Sequence, residues 1–198
     1  MKANTPAPLA GLVLCGGTSR RMGSDKALMH VDGEPLVLRV ARRLSTVADP
    51  VLLATGVPGR FGQLGLREVP DARPLAGPLA GVVAGLEASP HPLVAVIAAD
   101  MPFASPEVLR LLVLLRVDED VVAPVTSSGI EPLHAVYARG ALPELRTALD
   151  EDRFSLRSVL GRLRVRKVVE SEWRSSDPTG RFALNLNRPE DVSLLAGT

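Results

Sequence analysis

The segment LAGLVLC at residues 9–15 is followed directly by GGTSRRMGSDK at residues 16–26. The first part is a short, continuously apolar run, which is typical of a strand buried on both faces of a parallel sheet. The second part places three glycines and three cationic side chains in one loop. Open α/β sheets bind ligands outside the carboxyl ends of their strands, and glycines there let backbone N–H groups approach an anion. This stretch therefore predicts a strand that leads into an anion-binding loop, with a flexible surface turn as the alternative.

The rest of the chain alternates short apolar runs with segments of helical periodicity. This alternation is the pattern of a parallel sheet covered by helices. The predicted strands are residues 9–15, 51–54, 67–69, 93–98, 121–123, 133–137 and 165–169. The predicted helices are residues 35–47, a helix capped by Ser105 that begins at Pro106 and ends at 115, a helix over 142–149, and a final helix over 189–195.

These elements predict a single three-layer α/β domain over residues 1–198, with residues 1–8 as a flexible tail. Its sheet is expected to be Rossmann-like and mostly parallel. The strands after about residue 98 are more polar and less evenly spaced, so the C-terminal part is expected to be less regular, with mixed or antiparallel pairing.

The composition is that of a globular chain. Its 198 residues are 46% hydrophobic and 23% charged, which excludes a disordered chain. A chain of this length can bury a core without a disulfide or a structural metal. The single Cys15 offers neither a disulfide framework nor a zinc-binding spacing. A reducing, cytoplasmic location is therefore expected.

The charge balance argues against nucleic acid and membranes as partners. Twenty-three basic residues against 22 acidic ones give a net charge of +1, and only 3% of the residues are aromatic. The chain therefore has neither the strong positive charge that attracts nucleic acid nor the aromatic side chains on which bases stack. The uncharged run at residues 74–86 contains two prolines and three glycines, so it is not expected to span a bilayer. A small-molecule ligand is the expectation that remains.

Two familiar phosphate-binding motifs do not describe the glycine-rich loop. A Walker loop places lysine directly after glycine and before Ser or Thr, whereas Lys26 follows Asp25 and precedes Ala27. A dinucleotide fingerprint needs glycine at its first, third and sixth positions, which this loop lacks. The sequence therefore supports neither an ordinary P-loop kinase nor a dehydrogenase.

The loop instead resembles the L-A-G-G-x-S-x-R-M-G-x-D-K signature of nucleotidyltransferases that activate sugars, alcohols and pterins. It is most similar to the molybdenum cofactor guanylyltransferases, with Cys15 in place of the commoner alanine. In that family the loop wraps a nucleoside triphosphate, and the lysine matching Lys26 neutralises its phosphates. The resemblance also implies a nucleotidyltransferase fold.

Acidic residues follow two further predicted strands. Asp100 ends the apolar run 93–99, where a carboxylate can hold a hard divalent cation against phosphate oxygens; a capped turn is the alternative. Asp71 follows the strand 67–69 and precedes GPLAG at 77–81, and taken alone it is a loop residue in water. The resemblance implies that Asp100, in a D-x-P block, binds Mg²⁺ and that Asp71 contacts the guanosine part of GTP. The family often has Asn after its second strand, where this chain has Thr55.

Two C-terminal blocks resemble the acceptor-facing part of the family. EPLHAVY at 131–137 contains His134, although a lone histidine on an apolar strand is more often an interior residue. FALNLNRPED at 182–191 resembles F-x-N-x-N-x-P-E-D, and period-two spacing places Asn185 and Asn187 on one face. Capping of the last helix is the alternative role for Asn187.

The resemblance thus implies transfer of GMP from GTP to molybdopterin or molybdenum-loaded molybdopterin, with Mg²⁺ as cofactor and transient contacts with other cofactor-biosynthesis proteins. The alternatives are a CTP-dependent molybdopterin cytidylyltransferase, another small-molecule nucleotidyltransferase, and a non-catalytic nucleotide sensor or chaperone. The implied catalytic residues are Lys26, Arg21 and Asp100. The implied nucleotide contacts are Leu14, Cys15, Gly16, Gly17, Arg20, Lys26, Asp71, Gly77 and Asp100, and the implied acceptor contacts are His134, Asn185 and Asn187.

Overall fold

The computed structural model describes residues 8–16, 26–31, 33–74, 76–186 and 191. The strands are β1 Leu9–Leu14, β2 His30–Val31, β3 Glu34–Pro35, β4 Val51–Ala54, β5 Arg67–Val69, β6 Leu93–Ala98, β7 Val121–Thr126, β8 Gly129–Ile130, β9 His134–Ala138 and β10 Val165–Val168. The helices are α1 Leu36–Leu44, α2 Pro78–Ala88, α3 Pro106–Leu115, α4 Leu142–Asp150, α5 Leu156–Leu160 and α6 Glu170–Trp173. Most of the predicted tail, most of the glycine-rich loop and nearly all of the predicted final helix lie outside the described residues.

The central sheet has the order β10-β7-β9-β6-β1-β4-β5, and β8 pairs with β7. The strands β6, β1, β4 and β5 are parallel to one another, and β10 is parallel to β7. The strand β9 is antiparallel to both of its neighbours, β6 and β7. The prediction of a mostly parallel sheet with a less regular C-terminal part is therefore confirmed.

Helices cover both faces of this sheet because its central strands are apolar on both sides. All six residues of β1 are buried, and they alternate between two cores. Leu9 and Val13 pack on the side of α1 and α3, whereas Leu12 and Leu14 pack on the side of α2, α4 and α5. This arrangement gives the three layers that the sequence predicted.

The two helices that approach the carboxyl edge of the sheet are placed by local sequence signals. Ser105 caps α3 as predicted: its side chain accepts a hydrogen bond from the Val108 N–H at 3.2 Å, and Pro106 occupies the first turn. In α2, a Cβ on Gly81 would lie 2.8 Å from Cδ2 of Leu14, so a glycine there lets the helix pack closely against β1. Among the described residues, no helix is long and apolar enough to cross a membrane.

Candidate functional site

The carboxyl ends of four parallel strands meet at one edge of the sheet. Gly16 comes shortly after β1, Gly56 after β4, Asp71 after β5 and Asp100 after β6. Because β9 runs antiparallel, its first residues lie at this same edge. The candidate site is this edge, as the sequence predicted.

Lys26 and Asp100 are brought together there. The ammonium Nζ of Lys26 donates to the main-chain oxygen of Leu186 at 3.2 Å, and the N–H of Leu186 donates to the main-chain oxygen of Asp100 at 2.8 Å. Burial raises the pKa of the Asp100 carboxyl, and the positive charge of Lys26 acts in the opposite direction. A cation and a carboxylate thus share one corner of the site.

Asp71 forms a second corner, between the ends of β1 and β4. Its Oδ1 accepts a hydrogen bond from the Gly56 N–H at 3.2 Å. A Cβ on Gly16 would lie 3.2 Å from its Oδ2, so the main chain approaches the carboxylate closely. Burial raises the pKa of Asp71, while the Gly56 N–H and the charge of Arg60 oppose that change. The carboxylate is a desolvated hydrogen-bond acceptor.

Gly77 lies at the start of α2, close to this second corner. Its φ of 67° and ψ of −156° are values that a residue with a side chain rarely adopts. The N–H of Ala72 donates to the Ala80 oxygen at 3.3 Å, which ties the loop after Asp71 to α2. Gly77 therefore shapes the turn beside Asp71.

Leu14 and Cys15 offer only main-chain atoms to a ligand. Both side chains lie in the core, and the Cys15 thiol donates to the Val13 oxygen at 3.6 Å. The Thr55 hydroxyl is also occupied within the protein, since the residue is 1% exposed and the hydroxyl donates to the Val57 oxygen at 2.7 Å. Thr55 is therefore poorly placed to replace the asparagine that the family often has there.

Arg60 lies at the candidate site, and the sequence did not single it out. Its Nη1 donates to the main-chain oxygens of Cys15 at 2.7 Å and Thr55 at 3.3 Å. No motif marks this arginine, and only its position in the loop after β4 indicates that it lies at the carboxyl edge.

Glu131 was also missed, although it lies within a block that the sequence singled out. Ile97 pairs with His134 in the antiparallel ladder of β6 and β9, so continuing this register places Asp100 opposite Glu131. The Glu131 side chain is 7% exposed, and its Oε1 accepts from the Leu133 N–H at 3.1 Å. Burial and the charge of Asp100 both raise the pKa of Glu131. The two carboxyl groups are neighbours only because of this strand pairing.

His134 is an interior residue, which favours the interior alternative over an acceptor contact. Its side chain is 0% exposed, and its Nε2 accepts a hydrogen bond from the Ser105 N–H at 3.0 Å. Its ring packs against Phe182 with the ring centres 4.8 Å apart. Burial lowers the pKa of His134 to about 4, so the imidazole is neutral at pH 7. The interior alternative describes this histidine.

The remaining expected acceptor residue in the described part is Asn185. It is exposed and precedes Leu186, whose main chain joins Lys26 and Asp100. Four further expected site residues lie outside the described residues, namely Gly17, Arg20, Arg21 and Asn187.

The donor set at this edge fits Mg²⁺. Carboxylate oxygens are the ligands that Mg²⁺ prefers, and it commonly binds through one or two of them together with substrate phosphates. Asp100 would hold the ion, with Glu131 adjacent to it. Across the described residues there is no group of three or more His, Cys, Asp or Glu side chains that could hold a metal ion. One or two carboxylates suit an ion that also binds the phosphates of a nucleotide.

A doubly covered α/β sheet with a glycine-rich segment after its central strand, and with an ammonium and carboxylates at its carboxyl edge, is the framework of a nucleotide-binding transferase. Comparison with known proteins defines the family. The chain belongs to the MobA-like NTP transferase domain family, whose model matches residues 11–168.

Relatives and solved structures agree with this assignment. The chain is 35% identical over 182 residues to a "Probable molybdenum cofactor guanylyltransferase" of Pelotomaculum thermopropionicum, covering 92% of this chain and 89% of the relative. It is 32% identical over 188 residues to the "Molybdenum cofactor guanylyltransferase" of Desulfosudis oleivorans, covering 93% and 92%. The crystal structure of "Molybdopterin-guanine dinucleotide biosynthesis protein A" from Archaeoglobus fulgidus matches with a TM-score of 0.81 and 27% identity, covering 93% of this chain and 95% of that one. The predicted nucleotidyltransferase fold is confirmed.

Proposed function

We propose that the protein transfers GMP from GTP to the terminal phosphate of molybdopterin, with or without bound molybdenum, and releases pyrophosphate. The observation that carries the proposal is the junction of Lys26 and Asp100 through the main chain of Leu186. Similarity to guanylyltransferases over nearly the whole chain supports the choice of donor and acceptor. The cytoplasmic location and the transient contacts with other cofactor-biosynthesis proteins stay predictions.

The reaction needs positioning and charge neutralisation more than proton transfer. An oxygen of the acceptor phosphate attacks the α-phosphorus of GTP, and the bond from that phosphorus to the oxygen bridging the α- and β-phosphates breaks. The acceptor phosphate is already anionic at pH 7, so no strong general base is required. His134, neutral and buried, is therefore not needed as a base. Catalysis then depends on alignment and on electrostatic stabilisation.

Lys26 supplies the positive charge in this scheme. An ammonium group has three N–H donors, and one of them is directed to the Leu186 oxygen. The others can donate to the phosphates whose charge increases as pyrophosphate leaves. Because Leu186 fixes the side chain, little reorganisation is required when the nucleotide binds.

Asp100 supplies the negative charge that holds the metal. The chemistry that Mg²⁺ contributes at this carboxylate is the neutralisation of charge on phosphate oxygens. Burial raises the pKa of Asp100, so the ionised form is desolvated and benefits strongly from a bound cation. Glu131 places a second carboxyl group beside it.

Asp71 accounts for the choice of base in the proposal. Guanine presents two adjacent donors, the ring N1–H and the 2-amino group, and a carboxylate can accept hydrogen bonds from both. Adenine lacks the N1–H, and cytosine presents a different pattern. A desolvated carboxylate that was left unpaired against these bases would weaken their binding.

The test is to incubate the full chain with molybdopterin, Mg²⁺ and each of GTP, ATP, CTP and UTP, measuring pyrophosphate release and detecting the dinucleotide by mass spectrometry. We expect product with GTP and at least tenfold less with the other nucleotides. Preferential turnover of CTP would contradict guanylyl transfer. GTP binding without pyrophosphate release would instead identify a nucleotide sensor.

A further inference from the structure

Arg60 joins the ends of two neighbouring strands. Its Nη1 donates to the main-chain oxygen of Cys15 after β1 and to that of Thr55 after β4, at 2.7 and 3.3 Å. A guanidinium is planar and presents several donors in a fixed arrangement, so it can hold two acceptors at a defined separation. Arg60 thereby fixes the spacing of the two strand ends.

The backbone that carries Arg60 is itself held in place. The carboxylate of Glu68, on β5, accepts hydrogen bonds from the N–H groups of Arg60 at 2.9 Å and Phe61 at 2.8 Å. The Phe61 side chain is fully buried, and the guanidinium carbon of Arg60 lies 5.0 Å from the centre of its ring. Glu68 and Phe61 therefore hold both the main chain and the guanidinium of Arg60 in place.

The two residues that Arg60 binds directly precede the two glycines next to Asp71. Cys15 precedes Gly16, whose Cβ position would be 3.2 Å from Oδ2 of Asp71. Thr55 precedes Gly56, whose N–H donates to Oδ1 of Asp71 at 3.2 Å. Arg60 contacts the main chain on both sides of the carboxylate. Its charge also lowers the pKa of Asp71, which burial raises, and so favours the ionised acceptor.

We propose that Arg60 is a positioning residue for recognition of guanine: it holds Cys15 and Thr55 so that Gly16 and Gly56 fix the Asp71 carboxylate against the base. This inference rests on the proposed function, because it takes Asp71 as the group that faces guanine. The base that Asp71 binds must then donate hydrogen bonds from both its 2-amino group and its N1–H. Hypoxanthine keeps the N1–H and lacks the 2-amino group, so ITP is the informative comparison with GTP.

The experiment measures equilibrium binding of GTP, ITP, ATP and CTP, each with Mg²⁺, to the full chain and its variants. Loss of one hydrogen bond to a charged acceptor reduces affinity roughly tenfold to a hundredfold. We therefore expect wild type to bind GTP at least about tenfold more tightly than ITP. In Arg60→Met this ratio should fall to about threefold or less, with ITP affinity changed by less than about threefold, because the phosphate contacts are retained.

Three further variants test whether Arg60 acts through Asp71. Asp71→Asn should lose the same discrimination, and the double variant Arg60→Met/Asp71→Asn should lose no more than Asp71→Asn alone. Arg60→Lys keeps the charge but cannot hold both carbonyls in the same way, so it should also lose discrimination and provides a milder substitution if Arg60→Met unfolds. Arg73→Met is the matched control, since Arg73 likewise donates to a main-chain oxygen, that of Leu149 at 2.7 Å, and stacks on an aromatic ring, that of Phe154 at 5.2 Å. It should keep the wild-type ratio.

The possible results separate this inference from the proposed function. An equal loss of affinity for GTP and ITP in the Arg60 variants, or an unchanged ratio of the two affinities, would overturn the inference and leave Arg60 a purely structural role. Wild-type selection of GTP over ATP and CTP without selection over ITP would also overturn it, while the proposed function would stand. Absence of any wild-type preference for GTP over ATP and CTP would overturn the proposed function itself.

Discussion

Lys26 and Asp100 are the two charged side chains on which the proposed reaction depends most. Replacing Lys26 with Met removes the ammonium while keeping much of the aliphatic length. Loss of one preorganised charge that stabilises the transition state lowers kcat about 100- to 1,000-fold. We expect a loss of this size in pyrophosphate release by Lys26→Met, with little change in thermal unfolding. Lys167→Met, at an exposed position of β10, is the control and should keep wild-type activity. A rate within about threefold of wild type for Lys26→Met would contradict this role.

The ionisation of Asp71 gives a pH-dependent prediction. Burial raises the pKa of its carboxyl and Arg60 lowers it, so Arg60→Met should raise it further. Protonation removes the acceptor that the base requires, so the preference of wild type for GTP over ITP should fall as the pH is lowered, whereas the small preference left in Arg60→Met should change little. Folding responds in the opposite sense, because a carboxyl whose pKa is raised in the folded state favours folding as the pH falls. Titrating GTP and ITP affinity from pH 8 to 5 in both proteins measures this, because the ionisation of the shared triphosphate cancels in the ratio, and a wild-type preference that does not change with pH would refute the effect.

The lowered pKa of His134 predicts how the free energy of unfolding changes at acid pH. Its pKa is lowered to about 4 by burial, against 6.5 for an ordinary histidine, so the unfolded chain takes up the proton first as the pH falls. Stability is complete above about pH 6.5 and declines toward pH 4, by about 3 kcal/mol in all from this group. His134→Gln keeps an acceptor for the Ser105 N–H and should remove this part of the pH dependence. Urea unfolding from pH 7.5 to 4.5 measures the free energy of unfolding at each pH. An equal change of this free energy with pH in wild type and His134→Gln would contradict the prediction.

At the scale of elements, the segment 181–186 is what connects the interior to the site. Phe182 packs against His134 and Trp173, with ring centres 4.8 and 5.1 Å away, and Trp173 donates from Nε1 to the Val125 oxygen at 2.9 Å. Four residues later, the main chain of Leu186 accepts a hydrogen bond from Lys26 Nζ and donates one to the main-chain oxygen of Asp100. The aromatic packing therefore sets the position of the main chain that joins the two charged residues.

Truncation of this packing should affect catalysis as well as stability. Phe182→Ala should cost about 3–5 kcal/mol of stability, since it leaves a cavity in the core. It should also lower kcat at least about tenfold at a temperature where the protein is folded, because Leu186 loses its support. Leu145→Ala, in the core on the other face of the sheet, should cost about 2–5 kcal/mol without a comparable loss of kcat. Equal effects of the two variants on kcat would show that segment 181–186 has no special role.

At the scale of the whole molecule, the parallel half of the sheet was predictable and the pairing of its other half was not. The runs 51–54 and 93–98 were placed correctly because strands buried on both faces are continuously apolar. The run 67–69 was also placed correctly, although this edge strand contains Arg67 and Glu68. The short strands β2, β3 and β8 were missed because two residues carry no periodicity. The direction of β9 depends on long-range pairing with β6 and β7, which local pattern does not encode.

The same division applies to the site. Asp100 was singled out because it ends a recognisable strand at the edge where such sheets bind ligands, whereas Asp71 was singled out only by the family resemblance. Glu131 was missed because it meets Asp100 only through the antiparallel pairing of β6 and β9. The interior position of His134, whose imidazole accepts from the Ser105 N–H, agrees with the alternative that its place on an apolar strand indicated, and the acceptor contact stays a prediction from resemblance. Arg60 reaches across to Cys15, 45 residues away in sequence, and this contact has no local signal.

The most direct test of the central claim is a double-mutant cycle on kcat/KM for pyrophosphate release, with Lys26→Met, Asp100→Asn and the double variant. If the ammonium and the carboxylate act on the phosphates of one nucleotide, their effects are coupled and do not add. The double variant should then be about as slow as the slower single variant. Losses that multiply in the double variant would contradict a shared site.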